Sequence, residues 1–154
     1  MKEFPHRYTI TAHSATAGNV RLAGERLPNL TSASPAEFGG PGDQWSPETL
    51  LVAAVGDCVI LTFRAVAAAS KLVWASLSCS VTGTLDRVER VTQFTAFEVR
   101  VKLEITPGSD LELARRVVDK SEWNCLVSNS LKASVHVVPT ITIASEPVGA
   151  LASV

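Results

Sequence analysis

The chain has 154 residues, of which 46% are apolar and 19% charged, a globular composition with room for one domain and its core. We therefore expect a single domain over residues 1–154. The formal net charge of −1 gives no electrostatic reason to expect nucleic acid or an acidic membrane surface as a partner. The N-terminus lacks the unbroken apolar run of a secretory signal, which favours the cytoplasm.

The N-terminal third combines short strands with turns. The segment "RYTITA" at 7–12 predicts a strand, because apolar and β-branched residues alternate with polar ones. Glycine, asparagine and proline residues between 18 and 42 predict turns with one or two further strands. The segment "EFGGPGDQWSP" at 37–47 is then a loop that leads into a helix.

A long apolar helix follows this loop. Ser46 as the N-cap, Pro47 as the first helical residue and Glu48 in the first turn predict where it begins. The helix should run from about 47 to 70. Because its apolar residues surround most of its circumference, we expect it to lie in the middle of the structure.

The segment 50–69 of this helix is also about long enough to cross a lipid bilayer. Asp57 and Arg64 argue against a membrane span, since each would cost roughly 2.5 to 3.5 kcal/mol at the bilayer centre. We therefore predict the buried helix of a soluble protein and no membrane partner.

Two strands come next. In "WASLSCSVTGTL" at 74–85 and "FEVRVKLEI" at 97–105, apolar residues alternate with polar ones, which is typical of half-buried strands. We expect the two strands to pair antiparallel through the charged loop "DRVER" at 86–90.

The last third predicts two helices and a strand. The segment 107–122 is a capped amphipathic helix, and "SEWNCLVSNSL" at 121–131 is a short helix with a cysteine near its start. The segment "VHVVPTITI" at 135–143 predicts a closing strand that Pro139 interrupts.

The three cysteines, Cys58, Cys79 and Cys125, are too far apart for a C-x-x-C motif. In a reducing compartment such thiols are core residues or catalytic groups more often than structural bridges. Cys79 shares the apolar parity of its strand and is interpreted as a core residue. From its local sequence alone Cys58 could also be a buried core residue. No metal site is expected, because the histidines show no ligand spacing with the cysteines.

Two segments resemble the signatures of a known family. "WSPETLLVAAVGDCVILTF" at 45–63 and "NCLVSNSL" at 124–131 are similar to the signature segments of osmotically inducible protein C and organic hydroperoxide resistance proteins (OsmC/Ohr). The resemblance extends over the whole chain. It implies an α+β, OsmC-like fold in which antiparallel sheets surround a long buried central helix, assembled as an intertwined homodimer.

The resemblance also implies an activity. Enzymes of this family are thiol peroxidases, so Cys58 would attack an organic hydroperoxide and Cys125 would close a disulfide with the resulting sulfenic acid. Glu48 matches a glutamate that holds an arginine against the reactive thiol. Arg26 or Arg21 is the nearest candidate for that arginine. No bound cofactor is implied, and the expected reductant is an external dithiol such as a lipoyl group.

Two features motivate an alternative from another class. The loop at 32–45 contains no arginine, and Asp57 adjoins Cys58. The alternative is a non-catalytic protein of the same fold that binds an apolar ligand or acts as a thiol redox sensor.

The local sequence favours Cys125 as the more acidic thiol, because it is predicted to lie in the first turn of a helix. The resemblance favours Cys58 as the thiol that reacts first.

Overall fold

A computed structural model describes residues 3–145. The chain forms two compact units, one through Leu51 and one from Val52 onward. The division falls within the long helix that begins at Pro47. Residues 1–2 and 146–154 of the expected single domain lie outside the described part. The prediction of one domain stays a prediction.

The N-terminal unit contains a three-stranded antiparallel sheet in the order β1-β2-β3. Its strands are β1 (Thr11–His13), β2 (Val20–Ala23) and β3 (Leu30–Ser32), and a short 3-10 helix spans Ala36–Phe38. The two further strands are therefore confirmed. Strand β1 covers only the end of the strand predicted at 7–12, so the prediction is wrong over 7–10. The neighbouring strand β2 is four residues long, and it pairs only with the three residues of β1.

Helix α1 spans Pro47–Ser70, which confirms the predicted boundaries. The Oγ atom of Ser46 accepts a hydrogen bond from the backbone N–H of Thr49 at 3.1 Å. In return, the backbone N–H of Ser46 donates to Oγ1 of Thr49 at 2.8 Å. This reciprocal pair satisfies N–H groups that the helix leaves unpaired. Proline suits position 47 because an N–H in the first turn of a helix has no partner within the helix.

The C-terminal unit contains a second sheet with strands β4 (Trp74–Val88), β5 (Val91–Ile105) and β6 (Ser134–Ile143), in that order. Strands β4 and β5 pair antiparallel as predicted, whereas β6 runs parallel to β5. The expected antiparallel pairing is therefore confirmed for β4 and β5, and the parallel strand β6 makes this sheet a mixed one. Pro139 does not interrupt β6, because a proline is tolerated on an edge strand, where one side of the ladder is open.

The alternation predicted over 97–105 is confirmed, because the five apolar residues predicted to share one face of β5 are all buried: Phe97, Val99, Val101, Leu103 and Ile105. The loop predicted at 86–90 is shorter than expected. The strands extend to Val88 and from Val91, so that only Glu89 and Arg90 form the turn, with φ of 49° and 72°. A two-residue turn with both φ values positive matches the right-handed twist of the strands that it joins.

Two helices connect β5 to β6. Helix α2 spans Leu111–Asn124, and the Asp110 carboxylate caps it by accepting from the backbone N–H groups of Glu112 and Leu113. Helix α3 is a single turn at Leu126–Asn129. The predicted amphipathic and short helices are thus confirmed, with the junction between them at Cys125.

Within the C-terminal unit, one face of α1 packs on the second sheet. Its buried residues recur at helical spacing: Val55, Gly56, Val59, Phe63 and Ala67. The Phe63 and Trp74 rings meet edge to face at 5.4 Å. Among the described residues, α1 is the one helix whose length and apolar composition would suit a membrane span. Because this face packs on β4, we interpret α1 as a core helix.

The opposite face of α1 is apolar but uncovered. Only 33% of the most apolar 18-residue stretch of α1 is buried, and Leu61 is 51% exposed. The predicted burial of this helix is therefore confirmed for the face that packs on β4, and burial of the opposite face in a homodimer stays a prediction. Within residues 52–145 of the C-terminal unit, α3 borders this face through Leu126 and Val127 but leaves Leu61 half-exposed.

Candidate active site

Cys58 lies on the uncovered side of α1, where it opens on a shallow apolar pocket of about 470 Å³. The wall of the pocket combines residues of α1 with two residues of α3: Ala54, Asp57, Cys58, Leu61, Thr62, Ala65, Leu126 and Val127. Five of these eight residues are apolar. The pocket therefore offers an apolar ligand direct access to a half-buried thiol.

Cys125 lies at the junction of α2 and α3, which it joins as the C-cap of one and the N-cap of the other. Its side chain is fully buried, with 0% exposure. The side-chain amide of Asn129 donates to the backbone carbonyl of Trp123 at 3.0 Å. The backbone N–H of Asn129 donates to the backbone carbonyl of Cys125, also at 3.0 Å. These bonds close the junction and direct the thiol inward.

The two thiols lie together and are both free. Burial is the main cause that raises the pKa of Cys125, and the hydroxyl and backbone N–H of Ser128 lower it. A hydrogen bond with the Cys58 side chain and the charge of that group raise the pKa of Cys125 further. The local prediction of a depressed pKa at Cys125 is therefore wrong. The single turn of α3 does not outweigh desolvation of the thiolate.

Cys79 is separate from this pair. It lies on β4 among the residues that face α1, and its thiol donates to the backbone carbonyl of Gly56 at 3.5 Å. Burial raises the pKa of Cys79, and the charge of Asp57 adds to the increase. The predicted packing role agrees with this position, although the side chain is only partly buried.

Glu48 lies in the first turn of α1, in the N-terminal unit. Its Oε2 atom is buried and has no hydrogen-bond partner within residues 3–145. Arg21 is an exposed residue of β2. Arg26 follows β2 in a turn with a φ of 61°, and its 91% exposed side chain pairs with Glu25 at 3.8 Å. Neither arginine forms an ion pair with Glu48 in the described part of the chain.

Sequence reasoning missed two hydroxyl groups. Thr62 Oγ1 lies 3.9 Å from the sulfur of Cys58, and the Ser128 hydroxyl donates to the sulfur of Cys125 at 3.1 Å. Thr62 follows Cys58 by four residues, the spacing that brings side chains together on a helix. Ser128 follows Cys125 by three residues, so both could have been found from helical spacing.

The fold and the site together define an α+β protein with a long apolar helix and two adjacent free thiols, one of them open to a pocket. The family model for OsmC-like proteins matches residues 40–140. The chain belongs to this OsmC-like family, which confirms the family resemblance of its two signature segments.

Similar proteins fit this assignment. An uncharacterized Bacillus subtilis protein, YmaD, is 26% identical over 111 residues, which cover 70% of this chain and 74% of that protein. An OsmC-like protein of unknown function from Vibrio cholerae has a TM-score of 0.79 at 16% identity, over 89% of this chain and 99% of that one. An organic hydroperoxide resistance protein from Legionella pneumophila has a TM-score of 0.65 at 25% identity, over 91% and 99%.

Proposed function

We propose that this protein is a thiol peroxidase that reduces organic hydroperoxides of the fatty-acid type to alcohols. The observation that carries the proposal is the asymmetry of the thiol pair. Cys58 opens on an apolar pocket, whereas Cys125 is fully buried beside it. An apolar peroxide can reach the first thiol but not the second. The organic hydroperoxide resistance protein from Legionella pneumophila adds support, because it is 25% identical to this chain.

The chemistry follows from this arrangement. The Cys58 thiolate attacks the distal peroxide oxygen, the O–O bond breaks, and the leaving alkoxide takes a proton to become the alcohol. Cys58 is then a sulfenic acid. The Cys125 thiolate attacks its sulfur, a disulfide forms, and the departing hydroxide takes a proton to become water. The two electrons that reduce the peroxide come from the two thiols.

The disulfide must then be reduced from outside. We propose an external dithiol, such as a lipoyl group, which restores both thiols by thiol–disulfide exchange and itself becomes a disulfide. The protein would work in the cytoplasm as a homodimer. Glu48 would hold the arginine that favours the Cys58 thiolate. Its buried Oε2 atom, which has no hydrogen-bond partner within residues 3–145, is consistent with a carboxylate that binds a cation. Arg26 and Arg21 are the candidates.

The test is a turnover assay with cumene hydroperoxide and dihydrolipoamide. The wild-type protein should consume many equivalents of peroxide, and Cys58→Ser should abolish the rapid reaction. Cys79→Ser is the matched control, because it removes a thiol that does not line the pocket, and it should remain active.

The alternative is that the protein binds an apolar ligand or acts as a thiol redox sensor, without catalytic turnover. Asp57 favours it, since this carboxylate lies in the pocket wall beside Cys58. Peroxide consumption that stops at one equivalent per thiol pair, in the presence of excess dithiol, would support the alternative and contradict the peroxidase.

A further inference from the structure

The feature that carries a further inference is the contact between Ser128 and the buried thiol. Cys125 has 0% exposure, so water does not reach its sulfur in the chain. The Ser128 hydroxyl donates a hydrogen bond to that sulfur at 3.1 Å. Within residues 3–145 no other hydroxyl lies within hydrogen-bond distance of it. Because α3 is a single helical turn, Ser128 lies next to Cys125, the N-cap residue of that helix.

A buried thiolate needs such a donor. Taking an anion out of water is unfavourable unless protein groups replace the lost hydrogen bonds. Hydrogen bonds to charged groups contribute more than those between neutral groups. The hydroxyl of Ser128 therefore favours the thiolate form of Cys125, in opposition to the effect of burial.

We propose that Ser128 is a positioning residue for the resolving step, in which its hydroxyl holds the Cys125 sulfur and stabilises the thiolate that attacks the Cys58 sulfenic acid. This inference rests on the proposed peroxidase function and assigns a role that acts after the peroxide has reacted. In the step itself the Cys125 sulfur bonds to the Cys58 sulfur, the S–O bond of the sulfenic acid breaks, and hydroxide leaves. The hydroxyl keeps its own proton throughout.

The short helix offers a matched control. Ser130 also carries a hydroxyl near α3, but it donates to the backbone carbonyl of Leu126 at 2.7 Å and does not touch a sulfur. Ser128→Ala and Ser130→Ala thus remove the same group from neighbouring positions. Ser128→Thr retains a hydroxyl at the first position and serves as the conservative rescue.

The experiment is a single turnover with one equivalent of cumene hydroperoxide, followed by trapping of the sulfenic acid with dimedone and mass spectrometry. Formation of the Cys58 sulfenic acid should be unchanged in all three variants. Disulfide formation should slow in Ser128→Ala alone. A tenfold loss of thiolate slows the step only about threefold, because the remaining, more basic thiolate is also more nucleophilic.

The opposite effects of a smaller thiolate fraction and a higher nucleophilicity should be visible in the pH dependence of the rate of disulfide formation. Below the pKa of Cys125 the Ser128→Ala variant should resolve more slowly than the wild type. Above the Cys125 pKa of both proteins each holds the thiolate, so the variant, whose thiolate is more basic, should be faster, and the two profiles should cross. Equal slowing at every pH would indicate a purely structural role, and equal rates at every pH would exclude any role. Either outcome overturns the proposal.

A second measurement separates this inference from the proposed function. If the wild-type protein forms no disulfide with peroxide, the peroxidase proposal fails, yet the role of Ser128 can still be measured. In Cys58→Ser protein with ¹³Cβ-labelled cysteine, NMR titration follows Cys125 directly. Adding Ser128→Ala should raise the pKa of Cys125, whereas Ser130→Ala should leave it unchanged. An unchanged pKa in the first variant would contradict the proposal without reference to activity.

Discussion

The chemistry of each thiol depends on its burial more than on its place in the sequence. Cys125 precedes a helix, a position that by itself favours a thiolate, but that helix has four residues and the side chain is fully buried. The family signatures in the sequence single out Cys58 and Cys125 as the proposed reactive pair, and the structure brings the two side chains together. The sequence could not identify their relative exposure, because exposure depends on how α1 and α3 pack.

The partly buried thiol of Cys79 and the buried thiol of Cys125 should make stability depend on pH in alkaline solution. Burial raises the pKa of Cys79, so the folded protein binds the thiol proton more tightly than the unfolded chain does. The stability that this proton contributes is fully present below the ordinary thiol pKa of about 8.5 and is lost as the pH rises through the raised pKa. Cys125 acts in the same direction.

We therefore expect the free energy of unfolding to fall above about pH 8.5, and to fall less steeply in Cys79→Ala. Urea unfolding of the reduced proteins from pH 7 to 10 measures both slopes. Asp57→Asn is a second test, because the Asp57 charge contributes to the raised pKa of Cys79. Parallel curves for the wild type and Cys79→Ala would contradict this prediction.

At the scale of elements, period and capping signals predicted most of the fold. The start of α1 follows from Ser46 and Pro47, whose roles are set by neighbouring residues. The parallel pairing of β6 with β5 could not be predicted, because it joins residues that are far apart and the alternation of a strand is the same for either direction. The loop at 86–90 was predicted, but its reduction to the two residues Glu89 and Arg90 was not, because neither is a typical turn residue.

This turn gives a prediction for stability. Arg90 has a φ of 72°, a left-handed conformation that costs a residue with a side chain roughly 1–2 kcal/mol. Arg90→Gly should relieve that strain and, after the greater freedom of glycine in the unfolded chain is subtracted, stabilise the protein by about 0.5–1 kcal/mol.

Arg87→Gly is the matched control for the turn variant, because the same substitution three residues earlier falls within β4. There the glycine should destabilise the protein by about 0.5–1 kcal/mol, since the extended backbone gains nothing from it. Denaturant unfolding measures both changes. Destabilisation in both variants would show that the turn is not strained.

At the scale of the whole molecule, the uncovered face of α1 is the feature that a single chain leaves unexplained. Apolar residues on nearly all sides of a helix predicted a covering partner, and the exposed Leu61 beside the pocket is consistent with one. The sequence could indicate that the helix needs cover. It could not indicate which surface provides it.

We expect the protein to be a homodimer through this face. Leu61→Glu should place a charge in the interface and yield monomers, which sedimentation at micromolar concentration would detect. Ser80→Glu is the control, because Ser80 is an exposed residue of β4 and should leave the assembly intact. A wild-type protein that sediments as a folded monomer would contradict the dimer.

The parallel pairing of β6 also has a consequence for the order in which the molecule assembles. The antiparallel hairpin of β4 and β5 closes through a two-residue turn and can form from neighbouring segments of the chain. Strand β6 must wait for the connection through α2 and α3, because parallel strands cannot be joined directly. Cys125 lies in that connection, so the thiol pair cannot form before the chain beyond the hairpin has folded back. A nascent chain that already contains Cys58 would therefore hold this thiol without its partner.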